Sequence, residues 1–306
     1  MNSLASLNQP GSSDFRNGPC RTRYLQNSDL DFRLTDRRNA SHSAKQVENV
    51  FEIWCFKSFC PSISEPMAVS SLHSCQQLQS TALHNMTTLP AILKYGHLFL
   101  EVDNNLWLFD TGAPISFGRS DVVLDGARFQ LAPNYLGLTL EDLAEFTGVQ
   151  CHGLLGGDVL GNFDHLIDAT KGTVAISTGR LEHSGVGHPL DEFMGIPTLN
   201  VQIDGRGYRM FFDTGAQISY FQEDSIKNFP NMGKVSDFYP GVGQFQTDTH
   251  NVPMTIGSLQ ITLRCGILPG MLGKALALAN ISGIVGNQLC INRVIGYFPR
   301  RKALHL

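Results

Sequence analysis

"LWLFDTGAPISFG", from Leu106 to Gly118, and "YRMFFDTGAQISYF", from Tyr208 to Phe221, share the frame Asp-Thr-Gly-Ala-x-Ile-Ser. At average amino-acid usage, a single Asp-Thr-Gly occurs by chance in roughly one chain in twenty of this length. Two copies that also share Ala, Ile and Ser, each after an apolar run, indicate a duplication. The chemistry of the frame lies in its aspartate, which is Asp110 in the first copy and Asp213 in the second.

The segments around the two copies also correspond. Alternating apolar residues before each frame predict a hairpin, with turns at Asn104–Asn105 in the first copy and Asp204–Gly207 in the second. After each frame comes Gly, two aliphatic residues and Gly, in "GLLGGDVLGNF" from Gly153 and "GIVGNQLCIN" from Gly283. This pattern predicts a buried strand that passes close to another backbone.

The inserts between these landmarks differ in length, since 46 residues separate Asp110 from Gly156 and 73 separate Asp213 from Gly286. In the first insert, "TLEDLAEFTG" predicts a short helix with Thr139 as N-cap and Gly148 as the stop. The second insert predicts two extended strands, here called the arms, that are joined by a Gly-rich tip. The fold class expected is all-β, with two lobes, pseudo-two-fold symmetry and a few short helices.

We expect three segments along the chain. Residues 1–85 are rich in Asn, Ser, Arg and Gln without periodicity, which predicts a disordered or poorly structured extension. A propeptide and a start-site artefact are the alternatives. Residues 86–182 form the first predicted lobe, and residues 183–306 form the second, which carries the extended arms.

Composition excludes several classes of function. The 306 residues have a net charge of −4, which gives no reason to expect nucleic acid or a membrane as partner. An odd number of cysteines, seven, does not indicate a disulfide framework, and three are expected to be buried: Cys151, Cys265 and Cys290.

The apolar stretch "GILPGMLGKALALANISGIVGNQL" is interrupted by polar and turn residues, which favours a loop, a short helix and a core strand. Without a visible signal peptide or membrane span, we expect a cytoplasmic location. The histidines show no metal-ligand spacing, and we expect no metal and no cofactor.

The duplicated aspartate has a chemical interpretation. Two homologous halves packed about a pseudo-two-fold axis would bring Asp110 and Asp213 face to face. Two carboxyl groups this close share one proton, so that one donates while the other accepts, and a water between them is activated to attack a carbonyl. We expect support for the two loops from the following residues of each frame: Thr111, Gly112 and Ala113, and Thr214, Gly215 and Ala216.

These motifs resemble those of the retropepsin-like aspartic proteases, in which Asp-Thr-Gly-Ala is the usual catalytic sequence. The resemblance covers about residues 90–300 and is stronger in the second half, where "YPGVGQFQ" matches the tip of a flap. It implies an aspartic endopeptidase with Asp110 and Asp213 as catalytic residues and a peptide or protein as substrate. By this resemblance, the flap and substrate-binding residues are Tyr239, Gly241, Val242, Gly243 and Phe245.

This chain departs from the family in the way its motifs are distributed. Retropepsins usually carry one motif per chain and pair as homodimers, whereas both motifs lie in this chain, which implies a monomer. The alternative is a non-catalytic relative of this fold that binds peptides or partners through the same cleft.

Overall fold

The structure, a computed structural model, describes residues 86–222, 224–239 and 243–306. The extension predicted over residues 1–85 lies outside the described residues. Nine strands surround the first Asp-Thr-Gly: β1 Thr87–Lys94, β2 His97–Val102, β3 Asn105–Phe109, β4 Phe117–Gly118, β5 Val122–Leu124, β6 Ala127–Phe129, β7 Gly153–Leu155, β8 Asp164–Asp168 and β9 Thr173–Ser177.

Eleven further strands follow in the described part of the chain. They are β10 Gly187–Pro189, β11 Asp191–Phe193, β12 Ile196–Ile203, β13 Arg206–Phe212, β14 Ser219–Phe221, β15 Asn231–Tyr239, β16 Gly243–Ile256, β17 Leu259–Ile267, β18 Gly283–Val285, β19 Val294–Phe298 and β20 Ala303–His305. The α-helices are short: α1 Leu140–Thr147, α2 Gly157–Leu160 and α3 Gly270–Leu278. Three 3₁₀ turns cover Asp224–Asn228, Asn287–Cys290 and Pro299–Arg301.

Each half is built around the same arrangement of three strands. In the first half, β3 leads to Asp110 and pairs in parallel with β7, which pairs antiparallel with β4. In the second half, β13 leads to Asp213 and pairs in parallel with β18, which pairs antiparallel with β14. The predicted all-β class with two lobes and pseudo-two-fold symmetry is confirmed.

Strands from both halves share one of the sheets. The ten-stranded sheet has the order β10-β20-β19-β8-β9-β1-β2-β3-β7-β4, and the eight-stranded sheet has the order β11-β12-β13-β18-β14-β17-β16-β15. Strands β5 and β6 form a separate hairpin. Since β19 pairs with β8 from Val294 to Tyr297, late strands of the chain complete a sheet begun by early ones. The largest cluster of buried apolar side chains likewise includes residues of both halves, Phe109 and Phe212 among them.

The first hairpin turn lies one residue earlier than the sequence predicted, and the second is two residues shorter. Asp103 and Asn104 form the first turn, with φ of 50° and 61°, and Asn105 is already in β3. Asp204 and Gly205 form the second, with φ of 50° and 73°, so that Arg206 and Gly207 belong to β13. Two residues with positive φ give the tight turn that matches the twist of paired strands, and Asp, Asn and Gly tolerate this conformation best.

The predicted helix at Thr139 is confirmed. The Thr139 hydroxyl accepts from the backbone N–H of Asp142 at 3.2 Å, and the Asp142 carboxylate accepts from the backbone N–H of Thr139 at 2.9 Å. This reciprocal pair is a capping box, and Gly148 ends the helix in the left-handed conformation. The apolar stretch "GILPGMLGKALALANISGIVGNQL" contains α3 and β18, as expected.

Candidate active site

The two Asp-Thr-Gly loops meet between the halves and are joined through their threonines. The backbone N–H of Thr111 donates to Oγ1 of Thr214 at 3.0 Å, and the backbone N–H of Thr214 donates to Oγ1 of Thr111 at 3.0 Å. Each hydroxyl donates in turn to a carbonyl of the opposite half, Phe212 for Thr111 and Phe109 for Thr214, both at 2.7 Å. These hydrogen bonds link the two loops across the pseudo-two-fold axis, and both threonine side chains are fully buried.

The glycines of the two frames allow the aspartates to approach each other. A Cβ on Gly112 would overlap the carboxyl group of Asp213, and a Cβ on Gly215 would overlap that of Asp110. Neither glycine needs its freedom for an unusual φ here. Glycine is required at both positions for lack of space, because any side chain there would collide with the carboxyl group of the other half.

Each aspartate is held by its own loop in the same way. Oδ1 of Asp110 accepts from the backbone N–H groups of Gly112 and Ala113, at 2.8 and 3.1 Å. Oδ1 of Asp213 accepts from those of Gly215 and Ala216, at 2.9 and 3.1 Å. The backbone N–H of each aspartate is fixed by the strand beside it, on Leu155 O and Val285 O respectively, both at 3.0 Å. The two carboxyl groups are therefore oriented by symmetry-related contacts.

The two carboxyls titrate as a pair. Burial away from water raises the pKa of Asp110 well above its usual range, and the charge of Asp213 and a hydrogen bond to that side chain raise it further. Burial also raises the pKa of Asp213, although its hydrogen bond with Asp110 opposes this rise. A hydrogen bond between two carboxyl groups needs a proton on one of them. The arrangement therefore holds one proton that the two carboxyls share.

The serines that close the two frames also have matching contacts. Oγ of Ser116 accepts from the backbone N–H of Gly156 at 2.8 Å, and Oγ of Ser219 accepts from that of Gly286 at 3.1 Å. They tie each aspartate loop to the Gly-aliphatic-aliphatic-Gly segment beside it. Both serines are visible in the repeated frame, but the sequence did not predict these contacts.

Above the aspartates lies a cavity of about 660 Å³ lined by residues of both halves. It is mostly apolar, and its apolar walls include Leu108, Phe117, Leu143 and Leu154 from the first half and Ile196, Phe211, Leu268, Leu272 and Ile284 from the second. Asp110 and Asp213 both reach this cavity. An apolar cleft with a few convergent polar groups is the usual form of a ligand-binding site.

The extended arms predicted in the second half are β15 and β16, which pair antiparallel up to Tyr239 and Gly243. Of the five predicted flap residues, Tyr239, Gly243 and Phe245 line the cavity. Gly241 and Val242 lie outside the described residues. The arms thus bring part of the predicted flap to the cavity that Asp110 and Asp213 also line.

In the first half, the corresponding position contains α1 and the short β5–β6 hairpin. Phe146 of α1 reaches the cavity, and its ring stacks on that of Phe238 in β15, with an angle of 11° between the planes. The helix therefore meets the arm of the other half across the cleft. This contact was not foreseen from the sequence, because nothing in the pattern of α1 distinguishes Phe146 from a core residue.

Three polar residues of the site also escaped the sequence analysis. His97, Tyr220 and Asp237 all line the cavity. Nδ1 of His97 donates to the carbonyl of Gly215 at 3.1 Å, and burial lowers the pKa of this histidine, so it is neutral at neutral pH. The Tyr220 hydroxyl donates to the carboxylate of Asp237, and burial raises the pKa of this tyrosine. The only available signal for Tyr220 was its place directly after the second frame.

Other expectations concern residues away from the cleft. Cys151, Cys265 and Cys290 are buried and free, as predicted, and burial raises the pKa of Cys151 to about 11. Within the described ranges, no group of three or more His, Cys, Asp or Glu is placed to hold a metal ion. Over the same residues, no helix has both the length and the apolar character needed to cross a bilayer.

No protein-family model and no curated protein matches the chain in sequence. Among solved structures, the chain is similar to the protease of simian foamy virus (mac), with a TM-score of 0.23 and 13% sequence identity. The match covers 30% of this chain and 88% of that one. A similarity this low says nothing about what this chain binds or cleaves.

Proposed function

We propose that the protein is an aspartic endopeptidase that hydrolyses peptide bonds with a water activated between Asp110 and Asp213. The observation that carries the proposal is the pair of hydrogen-bonded carboxyl groups that the two Asp-Thr-Gly loops bring together in the lining of one cavity. Burying two carboxyl groups side by side costs folding free energy, and a pair of turns does not require it. Such a pair is therefore typical of a functional site.

The proposed reaction needs one acid and one base. The ionised carboxyl takes a proton from the water as its oxygen bonds to the peptide carbonyl carbon, while the protonated carboxyl gives its proton to the carbonyl oxygen. The tetrahedral diol then breaks its C–N bond: the carboxyl that took the proton from the water gives it to the nitrogen, and the other carboxylate takes a proton from one of the two hydroxyls. This leaves a carboxylic acid and an amine and restores the pair with one proton. The threonine hydrogen bonds between the loops hold the two groups in position.

The cleft supports a peptide as the substrate and a monomer as the active form. Both aspartates and both walls of the cavity come from one chain, so no second copy is needed to complete the site. The proposed flap over a bound peptide is formed by the arms β15 and β16, and it is supported by the lining of the cavity by Tyr239, Gly243 and Phe245. The cytoplasmic location stays a prediction from the sequence.

A digest of a peptide library from about pH 3 to about pH 7 tests the proposal, with Asp110→Asn and Asp213→Asn as comparison variants. We expect cleavage by the unmodified chain and none above background by either variant. Cleavage by both variants at the original rate would contradict the proposal. Binding of library peptides without cleavage by any of the three proteins would instead support a non-catalytic peptide-binding module.

A further inference from the structure

The cavity carries an unbalanced negative charge. Besides Asp110 and Asp213, its described lining includes the carboxyls of Asp142 and Asp237, but neither lysine nor arginine. Burial lowers the pKa of the lining histidine, His97, so that it carries no charge at neutral pH. Asp142 is already engaged in the cap of α1. Asp237 is the remaining carboxylate, since it belongs neither to the aspartate pair nor to a helix cap.

Asp237 is held in a defined position in the wall of the cleft. It lies near the end of β15 and is partly buried. One carboxylate oxygen accepts from the hydroxyl of Tyr220, whose side chain is 4% exposed, and the other accepts from the backbone N–H of Phe238 at 2.7 Å. Both donors are neutral. A carboxylate can accept about four hydrogen bonds, so these two leave capacity for a further donor.

No described lysine or arginine forms an ion pair with Asp237, since the seven ion pairs of the described residues all involve other carboxylates. The charge of Asp237 does reach the site, because it raises the pKa of Asp213 and opposes the lowering of that of His97. A carboxylate in the wall of an apolar cavity, with acceptor capacity left, can form a charge-assisted hydrogen bond to a cation supplied by a ligand.

We propose that Asp237 is a specificity-determining residue that binds the cationic side chain of a lysine or arginine in the substrate peptide. The apolar walls would cover the methylene stem of such a side chain while its charged end reaches the carboxylate. This proposal rests on the proposed peptidase function. The alternative role for Asp237 is a tether, in which its bond to Tyr220 only holds β15 over the cleft.

The test uses peptides acetylated at the N-terminus and amidated at the C-terminus, with lysine, arginine, norleucine or glutamate placed in turn at each position around the cleaved bond. The quantity measured is kcat/KM, and norleucine serves as the neutral counterpart of lysine. We expect a preference for lysine or arginine at one position. Asp237→Asn should reduce the lysine-to-norleucine ratio by about tenfold or more, as a charge-assisted hydrogen bond predicts.

Three further variants distinguish the two roles of Asp237, which are binding a cationic side chain through its charge and holding β15 through its bond to Tyr220. Asp237→Glu should retain the lysine preference, and Asp237→Lys should favour glutamate instead. Asp248→Asn is the matched control, since Asp248 is an exposed carboxylate on β16 that does not line the cavity, and it should leave the ratio unchanged. An equal loss of kcat/KM for lysine and norleucine peptides in Asp237→Asn would contradict the proposal and identify a tether.

A binding measurement distinguishes failure of this inference from failure of the peptidase function. Fluorescence anisotropy of the same capped peptides on Asp213→Asn, with and without Asp237→Asn, requires no cleavage. Tighter binding of lysine peptides that is lost with Asp237→Asn supports the inference even if nothing is cleaved. Equal binding of lysine and norleucine peptides would overturn it.

Discussion

Thr111 and Thr214 bind each other reciprocally, with each backbone N–H donating to the other's hydroxyl at 3.0 Å. Because each hydroxyl also donates to a carbonyl of the opposite half, four hydrogen bonds cross between the two loops. The two aspartates therefore stand on one hydrogen-bonded unit to which both halves contribute. Their mutual position depends on this unit as much as on their own strands.

Thr111→Val should destabilise the protein strongly. It leaves the N–H of Thr214 and the carbonyl of Phe212 buried without their partners, at a cost of about 2–5 kcal/mol in the free energy of unfolding. Thr111→Ser is the control, since it keeps the hydroxyl and loses only a methyl group, at about 1 kcal/mol. Urea denaturation measures both. Equal stability of the two variants would show that the cross-axis bonds contribute little.

Gly112→Ala should impair both stability and cleavage, because the new Cβ would overlap the carboxyl group of Asp213. We expect a loss of about 1–3 kcal/mol in the free energy of unfolding, the usual cost of overpacking. In Gly207→Ala, by contrast, the Cβ meets no atom within 4 Å, and this variant should be neutral or slightly more stable. Thermal melts and a cleavage assay on both variants check this contrast.

Asp110→Asn should stabilise the protein at neutral pH. Burial and the charge of Asp213 raise the pKa of Asp110 in the folded state, so folding favours its protonated form. That contribution is present below the ordinary pKa of an aspartate and is lost as the pH rises through the folded-state pKa. The unmodified chain should therefore lose stability relative to Asp110→Asn as the pH rises.

Melting temperatures of the unmodified chain and of Asp110→Asn, taken from below the ordinary pKa of an aspartate up to neutral pH, measure the effect. About 1 kcal/mol corresponds to roughly 2–4 °C for a protein of this size. A difference in melting temperature that does not depend on pH would contradict the raised pKa. Asp248→Asn, which removes an exposed carboxylate outside the pair, is the matched control.

The stack of Phe146 on Phe238 should couple α1 to β15. In a double-mutant cycle with Phe146→Ala and Phe238→Ala, we expect a coupling of about 0.5–1.5 kcal/mol in the free energy of unfolding. Each single variant should also raise KM for a cleaved peptide, because both side chains line the cavity. Additive effects of the two substitutions would show that the rings do not stabilise one another.

The sequence predicted the parts of the molecule that repeat or are local. The duplicated frame located Asp110 and Asp213, and the capping pattern at Thr139 located α1. Turn boundaries were displaced by a residue or two, because Asn105, Arg206 and Gly207 are compatible with either turn or strand. Contacts between distant segments, such as Phe146 with Phe238 and Tyr220 with Asp237, left no periodic or local pattern, since each joins residues from elements with independent sequences.

The most direct test of the central claim is kcat/KM of the unmodified chain, Asp110→Asn, Asp213→Asn and the double variant on one cleaved peptide. If the two carboxyls act as one unit, each single substitution reduces kcat/KM by about a thousandfold or more, and the double variant is no worse than the singles. If either single variant stays within about tenfold of the unmodified chain, or the two losses multiply in the double variant, Asp110 and Asp213 do not work as a pair.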